Sequence, residues 1–248
     1  MSDQILILFP LICFVGGFLS TVAGLGGGLV ILACTSLLLP VSQVIPLNGV
    51  LILAGQVMRV FQFHKHISWE ITRPFIPGSV LGAVVGSLIY FKLPEAFIAI
   101  MLGSVMLWFS WVPASPRTRA LAAQIPHPWL IVGAIHTFLS TVSGGGGLFQ
   151  SLMVNSKLPK EGVIATIATT LLFMSIFKTA GYMFAGFDFS PYLLVIGLCW
   201  IMGTLGTALG ARLLDHLPDI IFRRIIKIVV TLFSLRLFWQ ASQLLFAS

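Results

Sequence analysis

The sequence predicts an all-helical integral membrane protein built from two inverted repeats, each a glycine-broken, re-entrant helix pair followed by three crossing helices. Three observations lead there. Of the 248 residues, 58% are hydrophobic and 8% charged, and the mean hydropathy is +1.04, outside the range of a water-soluble domain. Phe18-Leu19-Ser20-Thr21-Val22-Ala23-Gly24-Leu25-Gly26-Gly27-Gly28 is echoed about 120 residues later as Phe138-Leu139-Ser140-Thr141-Val142-Ser143-Gly144-Gly145-Gly146-Gly147. The third is the distribution of basic residues, taken up below.

Residues 5–39 form one apolar run, too long as a straight helix for a hydrocarbon core of ~30 Å. Glycines 24–28 are the place to break it. Apolar segments follow at 44–62, 74–91 and 95–112, and residues 113–128 read as a linker. The second half repeats the plan: a glycine-broken run at 129–154, then segments at 162–185, 190–213 and 219–246. Pro40 matches Pro159, Arg59 matches Lys178, and Gly82 and Gly86 match Gly206 and Gly210. The expected division is therefore 1–112, a linker at 113–128, and 129–248.

Charge selects the topology. If all eight runs crossed, the basic residues would divide evenly between the two sides. If each glycine-broken run instead enters and leaves on one face, eleven of the fourteen lie on one side. Only Lys92, Lys178 and Arg236 lie on the other, as the positive-inside rule requires. Three crossings per half invert the second repeat relative to the first, with both termini outside. The same interspersed pattern argues against nucleic acid binding despite a formal charge of +7. The N-terminus lacks a basic region before its apolar run and reads as retained.

In such a hairpin the second helix starts at the glycines, with its unpaired N–H groups and positive dipole end aimed into the protein, where an anion is held without a formal charge. Gly24, Gly26, Gly27 and Gly28 form one half of the expected substrate site, and Gly144, Gly145, Gly146 and Gly147 the other. The hydroxyls of Ser20, Thr21, Ser140, Thr141 and Ser143 add donors. Glycine also permits close helix packing in membranes; duplication together with matched hydroxyls favours the site. Arg59 and Lys178 attract or bind an anion, or snorkel to the interface. Gln56 shares a face with Arg59, and Asn48 is a weaker lining candidate. His136, four residues before Ser140, is a candidate for proton coupling. All seven carboxylates fall at segment ends or connections, which disfavours a cation pathway. Cys13, Cys34 and Cys199 lack metal-ligand spacing, and no metal or cofactor is expected. His136 with Ser140, one turn apart and without a carboxylate to orient the histidine, is a poor basis for an enzyme.

These paired FLSTV-(Ala/Ser)-Gly segments, each opening a four-segment half, resemble the sulfite exporter TauE/SafE family of membrane permeases from about Cys13 to Phe238. The resemblance implies a transporter of small sulfur-containing anions, such as sulfite, sulfoacetate or related sulfonates, in a bacterial cytoplasmic membrane. Alternating access around a central site is the expected mechanism, with the small anion and the lipid bilayer as partners. A passive anion channel or a non-transporting membrane subunit is the alternative. The first motif is interrupted by Leu25 and the second is not, so the two half-sites are chemically unequal.

Overall fold

A computed structural model describes residues 3–22, 27–111, 128–144, 148–153, 156, 158–213 and 219–246. The expected site glycines Gly24, Gly26, Gly145, Gly146 and Gly147, and nearly all of the linker, lie outside the described residues. Among those described every regular element is helical.

The first half comprises α1 (Asp3–Val22), α2 (Gly27–Leu38), α3 (Val41–Leu51), α4 (Leu53–Phe63), α5 (Trp69–Tyr90) and α6 (Glu95–Trp111). The second comprises α7 (Pro128–Ser143), α8 (Leu148–Met153), α9 (Lys160–Phe184), α10 (Leu193–Leu213) and α11 (Asp219–Phe246). Ser42–His66, Trp69–Tyr90, Glu161–Phe184 and Ser190–Arg212 are long and apolar enough to cross a membrane. Both glycine-broken runs are thus two helices each, flanking residues 23–26 and 145–147.

One expected segment is bent. The 44–62 stretch divides at Ile52, although the helical bonds Ile52 N to Asn48 O (3.3 Å) and Gln56 N to Ile52 O (3.2 Å) carry through. Pro46 lacks the N–H that would bond Ser42 O, and the Tyr90 hydroxyl donates to that carbonyl instead (3.0 Å). At the bend the Trp200 indole donates to Val50 O (2.8 Å). In lipid a freed carbonyl needs such a partner, and here both come from other helices.

The packing interlocks the two halves. Helix α5 lies along α7 of the other half, and α10, the counterpart of α5, lies along α1, the counterpart of α7. Glycines seal both contacts at matching positions. Gly82 abuts the backbone of Ala134 and Phe138, while Gly206 abuts that of Phe14. A Cβ at Gly86 would lie 2.8 Å from Thr141 Cβ, and one at Gly210 would lie 2.7 Å from Phe18 O and 3.1 Å from Thr21 Cβ. The four glycines that the repeat aligns are therefore packing residues, as such residues commonly are between membrane helices.

Counterpart helices run antiparallel where they meet. Along α3–α4 and α9, Gly49 sits beside Lys178 and Thr179, while His66 sits beside Gly162. Along α6 and α11, Gly103 faces Ser234 and Phe238, while Trp111 donates to Thr231 (2.8 Å). The buried centre gathers Phe9, Leu32, Ile45, Leu47, Leu102 and Tyr182 from both halves, which fixes the hairpins against the spans that carry the cations.

Candidate functional site

The two cations matched in the sequence make matched contacts in the structure. Arg59, on α4, donates from Nη1 to Ser20 Oγ (2.9 Å) and from Nε to Gly55 O (3.3 Å). Lys178, on α9, donates from Nζ to Ser140 Oγ (3.2 Å) and Ser140 O (3.1 Å). Ser20 and Ser140 occupy the same place in their motifs, so each cation is tied to the hairpin of its own half. Lys178 is 1% exposed, and Gly49 makes room for it: a Cβ there would lie 3.2 Å from Lys178 Cε.

Among the described residues, neither charge is neutralised by a carboxylate. Glu70, Glu95, Glu161 and Asp188 are exposed at helix ends and connections, and among the described residues none pairs with Arg59 or Lys178. What each cation has is position, near the carbonyl end of α1 or α7, where the helix dipole carries roughly −0.5 of a charge. That offsets part of the cost of burying Lys178 and of partly burying Arg59, and leaves a positive balance.

The other expected donors divide. Thr21 donates to Gly17 O (3.0 Å), Thr141 to Thr137 O (2.7 Å) and Ser143 to Leu139 O (2.6 Å). These three hydroxyl protons are spent within their own helices. Gly144 has φ +73° and its N–H bonds Ser140 O (3.0 Å); glycine is needed there to end α7 in the left-handed conformation. Gly28 differs, because an added Cβ would meet none of the described residues within 4 Å. Gly27 begins α2. The helix that follows the second glycine run, α8, has six residues.

His136 is fully buried against Phe75 and Phe149, with ring centroids 6.2 and 6.1 Å away. Its Nδ1 accepts from Phe149 N at 3.5 Å, which places the ring proton on Nε2. Nε2 has no partner among the described residues.

Polar atoms gather around the cations. Among the described residues, Gln56 Oε1 is buried without a partner one turn before Arg59, and Ser175 Oγ is buried without one at the matching place before Lys178. Asn48 Oδ1, Thr179 Oγ1 and Thr207 Oγ1 likewise have no partner among the described residues. Thr207 lies near Gly17 and Gly55, beside the first half-site. Ser175, Thr179 and Thr207 escaped the reading of the sequence. The alignment that pairs Arg59 with Lys178 also pairs Gln56 with Ser175, so Ser175 was within reach of it. Thr207 has no polar counterpart in the first half and was not.

The sequence pattern of the sulfite exporter TauE/SafE family matches residues 9–237. The chain belongs to that family. No curated protein and no solved structure matches it. The match runs from α1 into α11 and so takes in both hairpins, both cations and every described span. Membership makes this TauE/SafE protein a membrane permease, in keeping with its apolar helices.

Proposed function

We propose that this TauE/SafE protein moves a small sulfur-containing anion, such as sulfite, sulfoacetate or a related sulfonate, across the bacterial cytoplasmic membrane. Transport proceeds by alternating access, with the anion bound near Ser20–Arg59 and Ser140–Lys178 and beside the glycine motifs. One observation carries the reading: two repeat-matched cations, both inside apolar segments and both bonded to a motif serine, have no carboxylate partner among the described residues. A charge held away from water without a counter-charge is costly, and anion binding at a half-site relieves that cost. The family description supplies the class of anion.

The antiparallel contacts of α3–α4 with α9, and of α6 with α11, support an inverted repeat with halves 1–112 and 129–248 joined at 113–128. They agree with re-entrant glycine hairpins and with both termini outside. His136, with its proton on a partnerless Nε2, serves as an additional donor or in proton coupling.

Uptake of radiolabelled sulfite and sulfoacetate into proteoliposomes, with the membrane potential set to either sign, tests the reading. Saturable flux of one compound, lost in Gly146→Leu, is the expected result. Equal flux in protein-free liposomes would overturn it.

A further inference from the structure

The two half-sites are unequal in what they hold in reserve. Arginine has five N–H donors and lysine three. Arg59 spends one on Gly55 O and one on Ser20 Oγ, which leaves three without a partner among the described residues, including both on Nη2. Lys178 spends two on Ser140, which leaves one. A planar guanidinium with a free edge accepts two oxygens of one oxyanion, whereas an ammonium with a single free donor contacts one.

They are also apart. Gly49 lies beside Lys178 and His66 beside Gly162 in the antiparallel pair, so Arg59 is level with the region of Ala168. That is about ten residues, or ~15 Å of helix rise, from Lys178. Arg59 folds back one turn onto Gly55 O, while Lys178 Cε stays beside Gly49. The head groups thus remain about 9 Å apart along the helix axis alone. Hydrogen bonds of about 3 Å at both ends, plus the oxygen-to-oxygen width of one small trioxyanion, fall short of that gap even in a straight line. Each head group is moreover held by a different hairpin, α1 or α7. Beside Lys178, one turn away, the buried Ser175 hydroxyl has no partner among the described residues and can donate.

We infer that the protein has two separate oxyanion subsites: one at Arg59 that grips two oxygens, and a weaker one at Lys178 that contacts a single oxygen. The inference rests on the proposed anion transport and adds its stoichiometry. The loaded protein carries two anionic groups, as two small anions or as one anion with an acidic group at each end. An anion with a single compact charged group occupies the Arg59 subsite first.

Equilibrium binding of radiolabelled sulfite to the purified full-length protein tests this, with Arg59→Met, Lys178→Met and Arg59→Lys alongside. Two sulfites per chain are expected in the wild type. Each methionine variant should bind one, with the tighter class missing from Arg59→Met. Arg59→Lys should bind two, with the tighter class weakened at least 10-fold. One sulfite per wild-type chain, abolished by either methionine substitution, would mean a single shared site and overturn the inference while leaving anion transport in place. No binding to folded wild-type protein would remove the proposed sulfite transport, and the subsites with it. The wild-type count decides between these outcomes even if a variant fails to fold.

Discussion

Replacing Gly210 by alanine tests the interlocked packing most locally. A Cβ at this position starts 2.7 Å from Phe18 O and 3.1 Å from Thr21 Cβ, and the oxygen belongs to backbone that has no rotamer to change. An ordinary contact requires α1 and α10 to part by about 0.7 Å, which forfeits roughly a quarter to a half of the dispersion energy of the nearby atom pairs. Overpacking of this kind costs about 1–3 kcal/mol, and alanine returns up to ~1 kcal/mol through helix propensity. Gly210→Ala should therefore destabilise by about 1–2 kcal/mol. Gly197→Ala in the same helix is the control, since its Cβ would meet none of the described residues within 4 Å. It should be neutral or stabilising by up to ~1 kcal/mol. Thermal unfolding in detergent, followed by loss of the monodisperse peak, should place Gly210→Ala several degrees below Gly197→Ala. Equal melting temperatures would refute the argument that glycine is required here for close approach.

Further outcomes follow from other contacts. Gly28→Ala should leave stability unchanged or raise it by up to ~1 kcal/mol while lowering uptake into proteoliposomes; wild-type uptake would show that backbone at this glycine does not line the pathway. Tyr90→Phe removes the donor to Ser42 O and should cost about 1–2 kcal/mol, most of it recovered by adding Pro46→Ala, which restores a helical N–H to that carbonyl; failure of the double variant to melt higher than Tyr90→Phe would contradict the pairing. For topology, cysteines introduced at Ser2 and Ser248 should both react with a membrane-impermeant thiol reagent from outside intact cells. Labelling of only one terminus from outside would be incompatible with three crossings in each half.

Much of this architecture was legible because the repeat carries more information than either copy alone. A single basic residue near a segment end reads equally well as an interfacial anchor. Matching Arg59 to Lys178 marked both, and both donate to the motif serine of their own half. The aligned glycines at 82, 86, 206 and 210 were legible as packing residues for the same reason, though which helix each would meet was not. That exchange, α5 onto α7 and α10 onto α1, is a long-range choice with no local signal.

The hydroxyls were harder to judge. Serine and threonine inside helices readily bond the carbonyl one turn back, which is where the protons of Thr21, Thr141 and Ser143 go. From sequence they were indistinguishable from Ser20 and Ser140. The break at Ile52 was hidden because Trp200, which bonds the neighbouring Val50 O, is far away in the chain.

The central claim is that the buried cations hold the transported anion. Its most direct test is the initial rate of sulfite uptake into proteoliposomes containing Arg59→Met or Lys178→Met, each first shown to retain wild-type melting and monodispersity. Loss of a charge-assisted bond of about 1.5–3 kcal/mol corresponds to roughly a 10- to 150-fold fall in affinity. At sulfite concentrations well below saturation the rate should fall by a similar factor in Arg59→Met, and by less in Lys178→Met. Wild-type rates in both folded variants would contradict the claim and return Arg59 and Lys178 to a purely structural role.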